Sequence, residues 1–201
     1  TRKESSAASD VYKRQALAGC GGEKKADDSK KMVTVGIAQL VEHGALDAAN
    51  KGFVAGMASK GFKENENVKY DRQNAQADQS NLQNIAQRFV SNKVDLICAI
   101  ATPTAQTMAN ATKDIPIVAT AVTDYEVAKL AASNNEPKGN VTGTSDMNPI
   151  DQQLELLLKI APQTKNIGTV YSSSEVNSQL QVDVLKKLAG DKGINVIEAT
   201  V

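Results

Sequence analysis

The 201-residue chain contains no tryptophan, 3% aromatic residues, one histidine and two cysteines, and its 23 basic and 23 acidic side chains leave a net charge of +0. Each shortage removes a class of function. With few rings to stack on bases and no excess of positive charge, nucleic acid is a poor partner. One His and one core-like Cys cannot assemble a Ser-His-Asp set or a cysteine-based metal site, and two Cys make no disulfide framework. No run approaches the roughly 18 consecutive apolar residues of a membrane-spanning helix. The glycine signatures of phosphate and acyl chemistry are missing as well. IAQLVEHGALDA stands where a G-x-G-x-x-G would follow the first strand, and Gly143-Thr144-Ser145-Asp146-Met147 lacks the closing Gly of a nucleophile elbow. Catalysis and a resident cofactor are not expected.

What is present is an apolar fraction of 41%, enough for a packed core, laid out as alternating strand and helix signals. Met32–Leu40 reads as a strand, and Ala45–Lys60 as a helix with Leu46, Ala49, Phe53 and Met57 at helical spacing and Gly61 as its stop. Val68–Tyr70 is a short strand, and Asp78–Asn92 a helix with Leu82, Ile85, Ala86 and Phe89 on one face. Val94–Ala101 and Ile115–Ala121 are β-branched apolar runs, and Val141–Thr144 is a further strand after the loop SNNEPKGN. Repeated βα units predict a doubly wound parallel sheet with helices on both faces. Near Ser145–Ile150 the pattern restarts: helix Ile150–Ile160, strand Ile167–Tyr171, helix Glu175–Ala189, strand Val196–Val201. The expected organisation is an N-terminal α/β lobe over 32–146 and the beginning of a second α/β lobe over 147–201, with the remainder of that lobe absent.

Residues 1–31 read differently. Leu17-Ala18-Gly19-Cys20 matches a bacterial lipobox, in which the cysteine is lipidated and becomes the mature N-terminus, and GGEKKADDSKK after it has the composition of a flexible tether. A secretory signal also needs an apolar core of about 7–15 residues, whereas TRKESSAASDVYKRQ supplies charge and serine. The expectation is therefore a non-native start at residues 1–15, a lipobox remnant with a membrane anchor at Cys20, and a tether. The alternative is a cytosolic tail in which LAGC occurs by chance. Cys98, inside an apolar strand, reads as a small core residue.

In open parallel sheets ligands bind outside the carboxyl ends of the strands. The two apolar runs end in Thr102-Pro103-Thr104 and Val122-Thr123-Asp124, which suits a small polar ligand. Thr102 and Thr104 also read as helix caps, and Asp124 as a turn residue.

The segments IAQLVEHGALDAANKGF, YDRQNAQADQSNLQNIAQRFV, VDLICAIATPTAQTMANATKDIPIVATAVTD and NVTGTSDMNPIDQQLELL, in this order, resemble the ABC-transporter substrate-binding lipoproteins of the tryptophan/aromatic-amino-acid type over residues 32–201. The resemblance implies a type I periplasmic-binding-protein fold, two α/β lobes joined by crossing strands, with an amino acid held in the cleft. It also implies a partner permease and ATPase, and an extracytoplasmic location. This family more often has Pro where the chain has Gly44 and Tyr125, and its members continue further to complete the second lobe. Two alternatives stand beside it: an α/β enzyme without recognisable motif, and the ligand-sensing core of a regulator. The polar tether argues against the latter, because it cannot form a packed DNA-binding helix-turn-helix.

For an amino-acid ligand the site can be argued physically. The carboxylate suits the helix start at Thr102–Thr104, with the Thr104 and Ala105 N–H groups as donors. Asp124, beside Thr123, would accept from the ammonium. Further candidates are Gln39 and Glu42 after the first strand, Asp146 at the crossover, and Ser173, Glu175 and Asn177 after the strand ending at Tyr171. Asp146 also reads as a helix cap, Ser172–Glu175 as a helix start, and His43 as a solvated loop residue. Charge-assisted hydrogen bonds contribute about 1.5–3 kcal/mol each, against about 8 kcal/mol for micromolar binding. Weak binding is expected until a second lobe closes over the ligand.

Overall fold

The computed structural model describes residues 32–201; Cys20 and the tether lie outside the described residues. Strand β1 (Val33–Gln39) leads to helix α1 (Gly44–Ser59), β2 (Val68–Asn74), α2 (Gln79–Ser91), β3 (Leu96–Ile100), α3 (Thr102–Ala111), β4 (Ile117–Val122) and β5 (Val141–Ser145). All neighbouring strands pair in parallel, in the order β2-β1-β3-β4-β5. The order reverses direction at β1, so the carboxyl ends of β1 and β3 flank the switch point where such sheets bind ligands. None of the helices among the described residues is long and apolar enough to cross a membrane.

The faces fill unequally. On one, Leu82, Ile85, Ala86 and Phe89 of α2 and Ala105, Met108 and Ala109 of α3 pack over Ala38, Ile97, Ala99, Ile117 and Ala119. Phe89 fixes this packing: a Cβ on Gly36 would stand only 2.7 Å from its ring, so the strand must be bare there. On the other face α1 lays the partly buried Leu46, Ala49, Phe53 and Met57 against Val35, Ile37, Tyr70, Cys98 and Ile100.

After β5 the chain crosses to a second layer, made of α4 (Ile150–Ile160), β6 (Asn166–Tyr171), α5 (Val176–Gly190) and β7 (Asn195–Thr200), with β6 and β7 a parallel pair. Leu154, Ala189 and Ile194 are buried there. Val170 is 70% exposed and Ile197 56% exposed, so one face of this small sheet is uncovered.

The sequence expectation departs from this structure at the strand ends. β2 runs to Asn74, past Tyr70, because pairing with β1 over Val33–Gln39 satisfies the backbone of the polar DRQN stretch. β3 is confined to Leu96–Ile100, since the Val94 N–H turns back to the Phe89 carbonyl (3.2 Å) and Ala101 leaves the strand conformation. The stop at Gly61 is a positive-φ residue (φ 90°), and Asp78 caps α2 by accepting from the Asn81 N–H at 2.7 Å.

Candidate functional site

The carboxyl edge of the first sheet is shaped by a turn at Ala101. Its backbone (φ 90°, ψ 152°) lies in a region that is nearly glycine-only, at a cost of about 1–3 kcal/mol. The turn starts α3 abruptly, and this corrects the capping expectation. Ala101 occupies the cap position without a side-chain bond, while Thr102 and Thr104 are already inside the first helical turn. Their side chains are 2% and 0% exposed, and neither hydroxyl has a hydrogen-bond partner. First-turn N–H groups have no intrahelical acceptor, which leaves those of Thr102 and Thr104 for other use. Ala105 differs from its expected role: its N–H donates to the Ala101 carbonyl at 3.0 Å, as the helix requires.

At the neighbouring strand end β4 is irregular, with a register shift between Ala119 and Val122 and a positive φ at Ala121. Thr123 is 6% exposed, and its carbonyl accepts from the Ser145 hydroxyl at 2.7 Å. Asp124 bonds within its own loop. One carboxylate oxygen accepts from the Val127 N–H (2.8 Å) and the other from the Asn134 amide (2.9 Å), so the turn reading holds, and each oxygen keeps a further acceptor position. Asp146 is exposed, and its N–H donates to the Val122 carbonyl at 3.1 Å. It caps no helix, because α4 starts from Pro149 without a side-chain bond.

Gln39 is buried and committed: its amide donates to the Val41 carbonyl (2.9 Å) and to Asp47 (2.6 Å), and its oxygen accepts from Asn50 (3.1 Å). With the exposed Glu42, and with Asp47, Asn50, Arg72, Gln73 and Asn74, it lines an open cleft of about 310 Å³. His43 is exposed in the loop before α1, as expected, and also caps that helix, its Nδ1 accepting from the Ala45 N–H at 3.3 Å. In the second layer Ser173 is exposed and Glu175 occupies the α5 cap position without capping it. Glu175 accepts from the Asn177 amide at 3.3 Å, and the Asn177 Oδ1 is buried without a partner. Among the described residues, no hydrogen bond joins Ser173, Glu175 or Asn177 to the first-layer candidates.

Sequence reasoning missed Asp47 and Asn50, whose bonds to Gln39 follow from helix spacing after β1, and it marked Tyr125 only as a departure from the family's Pro, without a role. Tyr125 is 7% exposed; its hydroxyl reaches the Ala119 carbonyl (2.9 Å) and the Thr144 carbonyl (3.2 Å), and burial first, then the Asp146 charge, pushes it up to about 12. Cys98 is 0% exposed and burial pushes its thiol up to about 12, as befits a core residue.

A five-stranded parallel α/β layer with polar groups at its carboxyl edge, leading through β5 into a second parallel α/β layer, has the architecture of the type I periplasmic-binding-protein class. The chain belongs to the ABC transporter substrate binding protein family, whose family model matches residues 34–201. It is 52% identical over 176 residues to a tyrosine-binding protein of Clostridioides difficile, covering 88% of this chain and 51% of that one. A Streptococcus pneumonia structure in complex with L-Trp superposes with TM-score 0.82 at 42% identity, over 85% of this chain and 58% of that one. The ligand-free, open structure of a Clostridium difficile substrate binding protein with adhesive properties gives TM-score 0.68 at 50% identity over the same shares. The chain thus spans little more than half the length of these relatives.

Proposed function

We propose that this chain forms the amino-acid-capturing part of an extracytoplasmic solute-binding component of an ABC importer, favouring an aromatic amino acid and delivering it to a permease driven by an ATPase. A lipid on Cys20 would hold it at the membrane. The observation that carries the reading is the pair of buried, unpartnered hydroxyls of Thr102 and Thr104 at the N-terminal turn of α3. A carboxylate is the natural occupant of such a turn, since it can accept from free N–H groups, from both hydroxyls, and from the positive end of the helix dipole. Asp146 is the carboxylate we assign to the ammonium, because it takes part in none of the loop bonds that occupy Asp124. The relatives' ligands, tyrosine and L-Trp, are of the chemistry that this arrangement accepts. The reading is one of binding without catalysis, and the lone His43 is used structurally as a cap.

Amide NMR of the 15N-labelled chain tests it, because millimolar binding, about 4 kcal/mol, is still visible there. Adding L-Tyr or L-Trp shifts the Thr102, Thr104 and Thr123 amides, whereas tryptamine, which lacks the carboxylate, does not. Shifts produced by a sugar and not by either amino acid would overturn the ligand class.

A further inference from the structure

We propose that Tyr125 is a positioning residue for ligand recognition: its buried hydroxyl pins the bulge between β4 and β5, and so holds the α3 turn and Asp146 at the spacing of an α-amino acid's carboxylate and ammonium. The inference rests on the binding mode proposed above and adds the residue that sets the distance between its two halves.

Those halves meet at the bulge. Pairing of β4 with β5 is regular from Ile117 opposite Val141 to Ala119 opposite Gly143, and it resumes with Val122 opposite Ser145. Thr120 and Ala121 therefore face the single residue Thr144, and the extra residue leaves Ala121 at φ 55°. Within the bulge the Thr120 carbonyl accepts from the Ala101 N–H at 3.1 Å, which ties it to the turn that starts α3. Beyond it the Val122 carbonyl accepts from the Asp146 N–H at 3.1 Å, and the Thr123 carbonyl from the Ser145 hydroxyl at 2.7 Å. A change in the shape of the bulge thus moves Asp146 relative to Thr102 and Thr104.

A bulge disrupts the ladder and leaves backbone groups without their regular partners. Here a side chain takes the place of those partners. The Tyr125 hydroxyl lies 2.9 Å from the Ala119 carbonyl on β4 and 3.2 Å from the Thr144 carbonyl on β5, so one donor bridges the two strands where their own pairing is interrupted. Burial, and next the charge of Asp146, push Tyr125 up to about 12, so it keeps its proton and stays a donor. The influence of Asp146 also shows that its carboxylate lies close to the pinned site. The Tyr125 ring belongs to the buried cluster of Ala128, Leu130 and Val141, and a phenylalanine would serve that packing equally. What the hydroxyl adds is the link across the bulge.

The test titrates the full 15N-labelled chain with L-Trp and with indole-3-propionate, which is L-Trp without its ammonium, and follows the amide shifts. The parent is expected to bind L-Trp about tenfold more tightly, the effect of one charge-assisted bond to Asp146. In Tyr125→Phe this preference falls to about twofold or less, through weaker binding of L-Trp, with indole-3-propionate unchanged. Asn140→Ala controls for lost stability. It removes the bonds from the Asn140 amide to the Thr112 (3.1 Å) and Ile115 (2.9 Å) carbonyls, at the opposite end of β5, and should keep the parent's preference. An undiminished preference in Tyr125→Phe, or an equal loss in Asn140→Ala, would overturn the positioning role and leave the binding mode standing. A parent that binds both ligands equally would instead overturn the assignment of Asp146, and the positioning role with it.

Discussion

Tyr125 and Gly143 are a fitted pair: the Tyr125 hydroxyl donates to the Ala119 carbonyl at 2.9 Å beside the register shift in β4, and a Cβ on Gly143 would collide with both that hydroxyl and that carbonyl. Gly143 is therefore what lets a tyrosine hydroxyl lie between β4 and β5. Gly143→Ala is expected to lower stability by about 3 kcal/mol, the upper end of overpacking costs, and Tyr125→Phe by about 1 kcal/mol, one hydrogen bond. Because the backbone collision persists without the hydroxyl, Tyr125→Phe does not rescue Gly143→Ala. Urea midpoints of the two single variants and the double variant check this; a full rescue in the double variant would show that only the hydroxyl matters.

The same tyrosine makes stability depend on alkaline pH. Burial raises Tyr125 from 10.0 to about 12, so the folded chain holds this proton more tightly than the unfolded chain does. The stabilisation is complete below pH 10 and is lost as pH rises towards 12, amounting to about 2 kcal/mol. Tyr70 and Tyr171 are raised as well, chiefly by burial and by the hydrogen bond to Glu198 respectively, so the contribution must be isolated. The expected result is a steeper fall in urea midpoint between pH 10 and 12 for the parent than for Tyr125→Phe, and parallel curves would remove Tyr125 as the cause.

The fold was legible because its signals are local. Leu82, Ile85, Ala86 and Phe89 bury one helical face of α2, as their spacing requires, and the short β-branched runs around Ile97 and Ile117 can be little else than covered strands. The carboxyl-edge candidates were legible by the same logic, since strand ends follow from strands. Their roles were less so. Whether Thr102 caps or lies inside the helix depends on the φ of Ala101, which no residue preference suggests, since left-handed backbone favours glycine. Asp124 could be recognised as polar and well placed, but its occupation by Asn134 is a contact across a loop whose geometry the sequence does not state. Tyr125 was opaque because its partners, Ala119 and Thr144, are backbone carbonyls, and carbonyls carry no sequence signal.

Strain at Ala101 supplies a further prediction. At φ 90° an alanine pays for its Cβ where glycine would not, so Ala101→Gly is expected to raise stability by about 1 kcal/mol, the strain relieved less the greater freedom of glycine in the unfolded chain. The turn itself should be unchanged, with the same amide shifts at Thr102 and Thr104. A loss of stability in chemical denaturation would mean that the alanine methyl, 8% exposed in the core, contributes more by packing than it costs by strain.

Thr102→Val and Thr104→Val separate stability from binding, because they should move the two in opposite directions. Each change keeps the shape of a buried side chain and removes a hydroxyl that has no partner in the folded chain. An unsatisfied buried polar group costs about 1–3 kcal/mol, so each variant is expected to be more stable than the parent by about 1 kcal/mol, read as a higher urea midpoint. If the hydroxyls exist to donate to a ligand carboxylate, the same variants lose a charge-assisted bond of about 1.5–3 kcal/mol, or roughly tenfold to a hundredfold in affinity for L-Tyr or L-Trp. Thr104→Ser, which keeps the hydroxyl, should bind as the parent does. Stabilised variants with undiminished amide shifts on adding L-Trp would place the carboxylate elsewhere and leave the two threonines as packing residues. Stability gained together with binding lost is the pattern of a site held ready at the expense of the fold.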